Sequence, residues 1–379
     1  GALDSGDTAW ILISSALVLL MTMPGLTLFY GGLVRARNFL SVLVQIGAIA
    51  AIASTLWIII GYTLAFGDVT SGWLGSGNAW MLIGTGQLLH GDLTISERTF
   101  ALFQLTFAAI TPALMAGAWV DRARFGWVIG FCALWSLVVY APVAHWVWGQ
   151  GWLASTVGTL DFAGGIVVHT TAGVSALIAA LLLGRRQGFP KTLMLPHSPS
   201  LTMAGAALLW VGWFGFNGGS ALAASDDAAS AIINTHVAAS VAALAWLLIE
   251  KLMVGKPTSV GFATGAIAGL ATVTPAAGYI SPGSAMLFGT IAAGVCYPMI
   301  LLVKQKLRID DSLDVFAVHG VGGMIGSILL AVFISPELGG TGYAEGFGMI
   351  NQLAAQTVGV SAGSLASSKA TSSGWVIYF

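Results

Sequence analysis

Two histidines, His169 and His319, stand inside long runs that are otherwise apolar. An ionisable side chain in a lipid-embedded helix costs several kcal/mol, so its default reading is functional. Imidazole exchanges protons near neutral pH, and the neutral ring donates from one nitrogen while accepting at the other. For one such histidine a satisfied structural ring is the simpler account; two at corresponding places in the chain shift the balance toward function. A metal centre fits less well, because no third or fourth His, Cys or carboxylate recurs at ligand spacing. A second constellation is Trp210-Val-Gly-Trp-Phe-Gly-Phe-Asn-Gly-Gly-Ser220. Its glycines permit close helix approach, its aromatic faces attract a cation, and Ser220 offers a hydroxyl. An interfacial aromatic belt explains such tryptophans equally well, as it does Trp10, Trp73 and Trp80. Walker-type loops, Gly-x-Ser-x-Gly elbows and Cys-x-x-Cys pairs are absent. The two histidines also lack the carboxylate or serine partners of an intramembrane protease, so the chain reads as a non-enzyme without a cofactor.

The elements that position these groups must be membrane helices. Lys and Arg number 14 and Asp and Glu 15 among 379 residues, 8% of the total, where a soluble domain carries about 25%. The hydrophobic share is 57% and the mean hydropathy +0.88, so lipid must cover most of the surface. A net charge of −1 gives no reason to expect a nucleic-acid partner. Cys132 and Cys296 lie inside apolar runs and read as packing residues. A spanning helix needs about 20 apolar residues, and ten runs qualify: about 9–33, 39–66, 99–119, 125–146, 162–184, 200–220, 229–249, 259–279, 283–303 and 315–336. An eleventh, about 346–368, is uncharged but rich in Gly, Ser and Gln. None shows the alternation of a barrel strand. The expectation is one all-α polytopic membrane domain over residues 1–379.

Alternate connections hold Arg35, Arg37, Arg122, Arg124, Arg185, Arg186, Lys191, Lys251, Lys256, Lys304, Lys306 and Arg308, which is 12 of the 14 basic residues. These connections are read as cytoplasmic, which puts the N-terminus outside and, with eleven spans, the C-terminus inside. The segments around the two histidines echo each other: His169-Thr-Thr-Ala-Gly173 and His319-Gly-Val-Gly-Gly323 each follow an aspartate, Asp161 and Asp314. The fifth and tenth spans carry them. Five is odd, so two five-helix repeats, about 9–184 and 200–336, would be inverted, with the functional site where they meet, as in many transporters.

These residues resemble the ammonium transporter family (Amt/Mep/Rh), of the bacterial Amt type. The resemblance rests on Asp161-Phe-Ala-Gly-Gly-Ile-Val-Val-His169, Phe29-Tyr-Gly-Gly-Leu-Val-Arg35, Gly212-Trp-Phe-Gly-Phe-Asn217, Thr274-Pro-Ala-Ala-Gly-Tyr279 and Asp314-Val-Phe-Ala-Val-His-Gly320, in order from about residue 8 to about 356. It implies eleven helices, two inverted halves and a homotrimer with one pore per subunit. It also implies that Trp148 and Ser220 recruit ammonium at the outer end above Phe107. Phe107 and Phe216 would form a phenyl gate, and His169, His319 and Trp213 would line an apolar pore. Asp161 would support the outer site, and Thr274 would help shape it. The physics agrees: a bare cation entering hydrocarbon costs many kcal/mol, so a narrow apolar passage favours separating ammonia from its proton.

The span edges alone put His169 roughly 10 Å below one boundary and His319 close to the other, so adjacency requires the run from Asp310 to enter the membrane early. Thr357 to Phe379 does not read like the family's last helix, and the charged C-terminal extension that a PII-type regulator engages is not found, which leaves that partner open. His236, in the seventh span, is an additional histidine expected to pack structurally. The leading reading is ammonium/ammonia transport across the cytoplasmic membrane. Its rival is an ammonium sensor that signals through a C-terminal domain absent from this sequence; a neutral-gas pore is disfavoured by the expected cation site.

Overall fold

In hydrocarbon a backbone can satisfy its own polar groups only as a helix or a closed barrel, and the long apolar runs of this chain take the first solution. The computed structural model describes residues 2–373. Among them ten helices are long and apolar enough to span: α1 Ser5–Leu33, α2 Ala36–Phe66, α3 Glu97–Trp119, α4 Phe125–Val147, α5 Gly165–Leu183, α6 Pro199–Gly219, α7 Asp226–Val254, α8 Ser259–Ala276, α9 Pro282–Lys306 and α10 Phe316–Phe333. An eleventh, α11, runs Met349–Ser372. Pairing between extended segments, among the described residues, is confined to two isolated bridges, Val69 with Gly75 and Leu89 with Ser96. The span edges fall within a few residues of those read from hydropathy.

α11 corrects one expectation. The stretch after Gln356 continues a regular helix to Ser372; the rest of the expected tail, 374–379, lies outside the described residues. Hydropathy underrates this helix because it packs through small side chains. Its buried face is Gln352, Gln356, Gly359, Gly363, Ser367 and Thr371, and close approach replaces apolar area as the source of contact.

The two histidine-bearing helices, α5 and α10, pack against each other. Each of these begins with a π-helical turn, Gly165–Thr170 and Phe316–Val321, that carries its histidine. Wide turns of this kind recur at functional sites. The helices cross where Gly173 faces Gly320, and a Cβ on Gly173 would lie 2.2 Å from Gly320 Cα. Backbone, unlike a side-chain tip, cannot swing aside. Gly173→Ala is therefore expected to destabilise the fold by about 3 kcal/mol, read as a lower apparent Tm in detergent. Gly294→Ala, where a new methyl meets open space, is the control; equal Tm values for the two would show that the crossing has slack.

A buried ion-pair cluster at the basic end explains how polar chain enters the helix bundle. Asp310 takes hydrogen bonds from Arg122 Nη1 (3.0 Å), Arg186 N (2.7 Å) and Arg186 Nη2 (2.8 Å). Burial would push its carboxyl up, but the Arg186 hydrogen bonds and both guanidinium charges hold it below the usual carboxylate range. Leu313 N donates to Gly117 O at the end of α3. With Asp310, Asp311, Ser312 and Val315 all buried, the run is already inside the protein before α10 starts.

Candidate functional site

Asp161 organises the site from the loop before α5. Its Oδ1 accepts from Gly164 N (2.9 Å) and Gly165 N (2.7 Å), and its Oδ2 from Ile166 N (2.8 Å) and Val167 N (3.0 Å). The first amides of a helix have no partner within it, and one carboxylate satisfies four of them. Burial pushes the Asp161 carboxyl up and the four amides pull against that shift. Its own carbonyl accepts from Trp148 Nε1 at 2.8 Å, which fixes the indole relative to the cap. So Asp161 does not present its carboxylate to a ligand; it holds Trp148 on one side and the His169 turn on the other.

Trp148 and Ser220 line a cavity of about 570 Å³ at the end of the bundle opposite the basic cluster, with Phe107 on its wall and Asp92 and Asp227 toward its rim. Ser220 Oγ donates to Phe216 O at 2.8 Å, so the hydroxyl hydrogen is used and the lone pairs are left for a donor. The Phe107 ring meets the Trp148 indole edge-on at 5.9 Å and the Phe216 ring at 4.3 Å, with an interplanar angle of 39°. Both phenyl rings are buried. Past them lies a chamber of about 10 Å³ lined by Phe216, Trp213, His169 and His319. That is space for about one water-sized molecule.

The structure brings the two histidines together. His169 Nδ1 lies 3.1 Å from His319 Nδ1, and the rings are nearly parallel, with centroids 5.2 Å apart. Two facing Nδ1 atoms can share only one hydrogen, so one ring donates and the other accepts. The Nε2 atoms must then have opposite characters, one acceptor and one donor. His169 Nε2 is buried without a partner. The His169 ring also lies nearly parallel to the Trp213 indole (16°, 5.5 Å). His319 lines the small chamber and also a second cavity of about 190 Å³ toward the basic end, beside Tyr30, Lys304 and Asp314. The order is vestibule, phenyl pair, chamber, imidazole pair, second vestibule.

Two placements, those of the second aspartate and of Thr274, differ from the sequence reading. The partner of Asp161 in the other half is Asp311, not Asp314. Asp161 and Asp311 each precede their histidine by eight residues, and Asp311 Oδ2 accepts from Phe316 N at 2.7 Å. Burial, reinforced by Asp314, pushes the Asp311 carboxyl up to about 6, whereas Asp314 is paired with Lys304 at 2.8 Å. Equal offsets from the histidines were the available signal. Thr274 lies beside the Trp213 indole that lines the chamber: its Oγ1 accepts from Trp213 Nε1 at 2.9 Å and donates to Leu270 O at 2.7 Å. His236, expected to pack structurally, lies away from the chamber, where its Nδ1 accepts from Trp210 Nε1 at 3.1 Å and its ring meets that indole. Sequence reasoning also passed over Gln104, a buried carboxamide on the vestibule wall one turn before Phe107, for which spacing gave no sign.

The model of the Ammonium Transporter Family matches residues 9–378. An ammonium transporter of Aquifex aeolicus is 48% identical over 89% of this chain and 79% of its own length. The crystal structure of Saccharomyces cerevisiae Mep2 superposes with a TM-score of 0.89 at 36% identity, covering 98% of this chain and 86% of that one. A protein described as a sensor Amt protein gives 0.90 at 29% identity, with 97% and 91% covered. The chain belongs to the ammonium transporter family.

Proposed function

We propose that this protein carries ammonium across the cytoplasmic membrane by recruiting the cation between Trp148, Phe107 and Ser220 and passing ammonia and its proton separately through the His169–His319 pore. The serial order of the groups supports this reading: a cation-compatible vestibule, an aromatic barrier, and a one-molecule chamber ending on coupled imidazoles. Aromatic faces replace part of the cation's hydration at about 0.5–2 kcal/mol each, and Ser220 accepts one N–H. The charge cannot follow into the chamber at comparable cost, so the neutral molecule enters when Phe107 and Phe216 part. Potassium has no proton to lose and is refused there. The end holding 12 of 14 basic residues is assigned to the cytoplasm, which places Trp148 and the N-terminus outside. Assembly as a homotrimer with one pore per subunit belongs to the same proposal.

The purified chain, reconstituted in liposomes, is expected to give an inward current on an ammonium gradient and none on an equal potassium gradient. Absence of current from a protein that still binds ammonium would replace transport with the sensor reading. Equal currents for both ions would exclude deprotonation as the filter.

A further inference from the structure

We infer that Gln356, on the last helix, is a positioning residue for the ammonium-recruiting site. Its carboxamide is fully buried and has its complete set of partners. Nε2 donates to Leu160 O (2.8 Å) and Ser327 O (3.0 Å), while Oε1 accepts from Leu160 N (2.8 Å) and Gln352 Nε2 (3.0 Å). Only a primary amide offers two donors and two acceptor lone pairs at one point, so only Asn, one methylene shorter, carries the same set. Leu160 is held through both its N–H and its C=O, as in a strand ladder, and it immediately precedes Asp161. Neighbouring contacts run the same way: Gln352 Nε2 donates to Gly158 O at 3.1 Å, and Thr159 Oγ1 donates to Ala355 O at 2.8 Å. Ser327 lies on α10, the helix of His319. One side chain therefore ties α11, α10 and the 158–161 strip together.

The consequence lies one residue further on. The Asp161 carbonyl orients Trp148, and the Asp161 carboxylate caps the turn of His169. Register of the 158–161 strip against α11 thus sets where the indole stands in the vestibule. Gln356 touches neither the vestibule nor the chamber and acts through Leu160 and Asp161. The last helix is then a support for the binding site, acting through the 158–161 strip, and not a passive anchor in lipid. The inference rests on the reading of Trp148 as an ammonium contact.

The test is transport in liposomes by Gln356→Met, which keeps length and removes all four hydrogen bonds. The apparent KM for ammonium is expected to rise about tenfold while the maximal rate per correctly assembled protein stays within about twofold. Combined with Trp148→Leu, the same substitution is expected to change KM less than about twofold, because the group it positions is gone. Thr357→Val, whose hydroxyl bonds only within α11, is the neighbouring control and is expected to match the parent. Should Gln356→Met fail to assemble, Gln352→Met removes one of the four bonds and is expected to raise KM about threefold. An unchanged KM in the assembled variant, or a KM effect of full size in the Trp148→Leu background, overturns the inference while the parent still conducts. A parent that does not conduct overturns the transport reading and this inference with it.

Discussion

Asp161→Ala is expected to reduce ammonium transport by at least about 10²-fold. The reason is the number of donors that depend on one carboxylate. Gly164, Gly165, Ile166 and Val167 all direct their amides at it. A buried donor left unpaired costs about 1–3 kcal/mol. Four of them together approach the whole net stability of a folded domain, about 5–15 kcal/mol, so the start of α5 must rearrange. His169 rides on that turn, and Trp148 hangs from the Asp161 carbonyl. The alanine variant therefore disturbs both ends of the path at once, and some loss of assembled protein is expected with it.

Asp161→Asn separates capping from the mere presence of a polar group. The amide keeps one oxygen, which can serve two of the four N–H groups, and places its own NH₂ against the other two. Folding survives in this variant, and transport per assembled protein is expected to fall about tenfold, equivalent to about 1.4 kcal/mol. The measurement is uptake normalised to the detergent-stable fraction. If the asparagine variant transported ammonium at the parental rate and KM, the carboxylate would have no role in holding the site.

The sequence carried most of this architecture because each element of it is local. Ten spans follow from apolar length, and the proposed sidedness rests on twelve basic residues in alternate connections. The family resemblance names Trp148, Ser220, Phe107 and Phe216, and these four residues lie together where the vestibule meets the phenyl pair. What stayed hidden depends on polar chain running through the protein interior. Counting along spans leaves His319 near the basic end, because hydropathy starts α10 only after Asp314. In the folded protein Arg122 and Arg186 neutralise Asp310 and let a polar run penetrate, and that brings His319 to His169. Asp314 stands nearer His319 in the sequence, and only the equal eight-residue offset, Asp161 to His169 and Asp311 to His319, singles out Asp311. α11 looked weak because Gly359, Gly363 and Ser367 pack by close approach, a contribution that no hydropathy scale counts.

His319→Ala is expected to lower ammonium-dependent current about 10²-fold, the usual size of a lost proton-transfer group, while passage of uncharged ammonia continues. The pairing of the two Nδ1 atoms implies the asymmetry. If His169 carries the shared hydrogen, its Nε2 is a lone pair facing the chamber, and His319 carries its other hydrogen on Nε2. A proton arriving at His169 Nε2 lets its Nδ1 hydrogen pass to His319 Nδ1, and His319 releases the proton from Nε2 toward the second vestibule. One proton enters, one leaves, and the rings exchange tautomers, so they must reset before the next cycle. Alanine removes the acceptor at Nδ1 and leaves His169 without a way to discharge. His319→Gln, which fills more of the space but cannot carry a proton at neutral pH, is expected to lose current to the same extent and to preserve rejection of potassium better than alanine. Full current in His319→Ala with unchanged selectivity over potassium would falsify the relay. Loss of current in alanine but not in glutamine would instead assign the ring to filling the pore and ordering a neutral molecule within it.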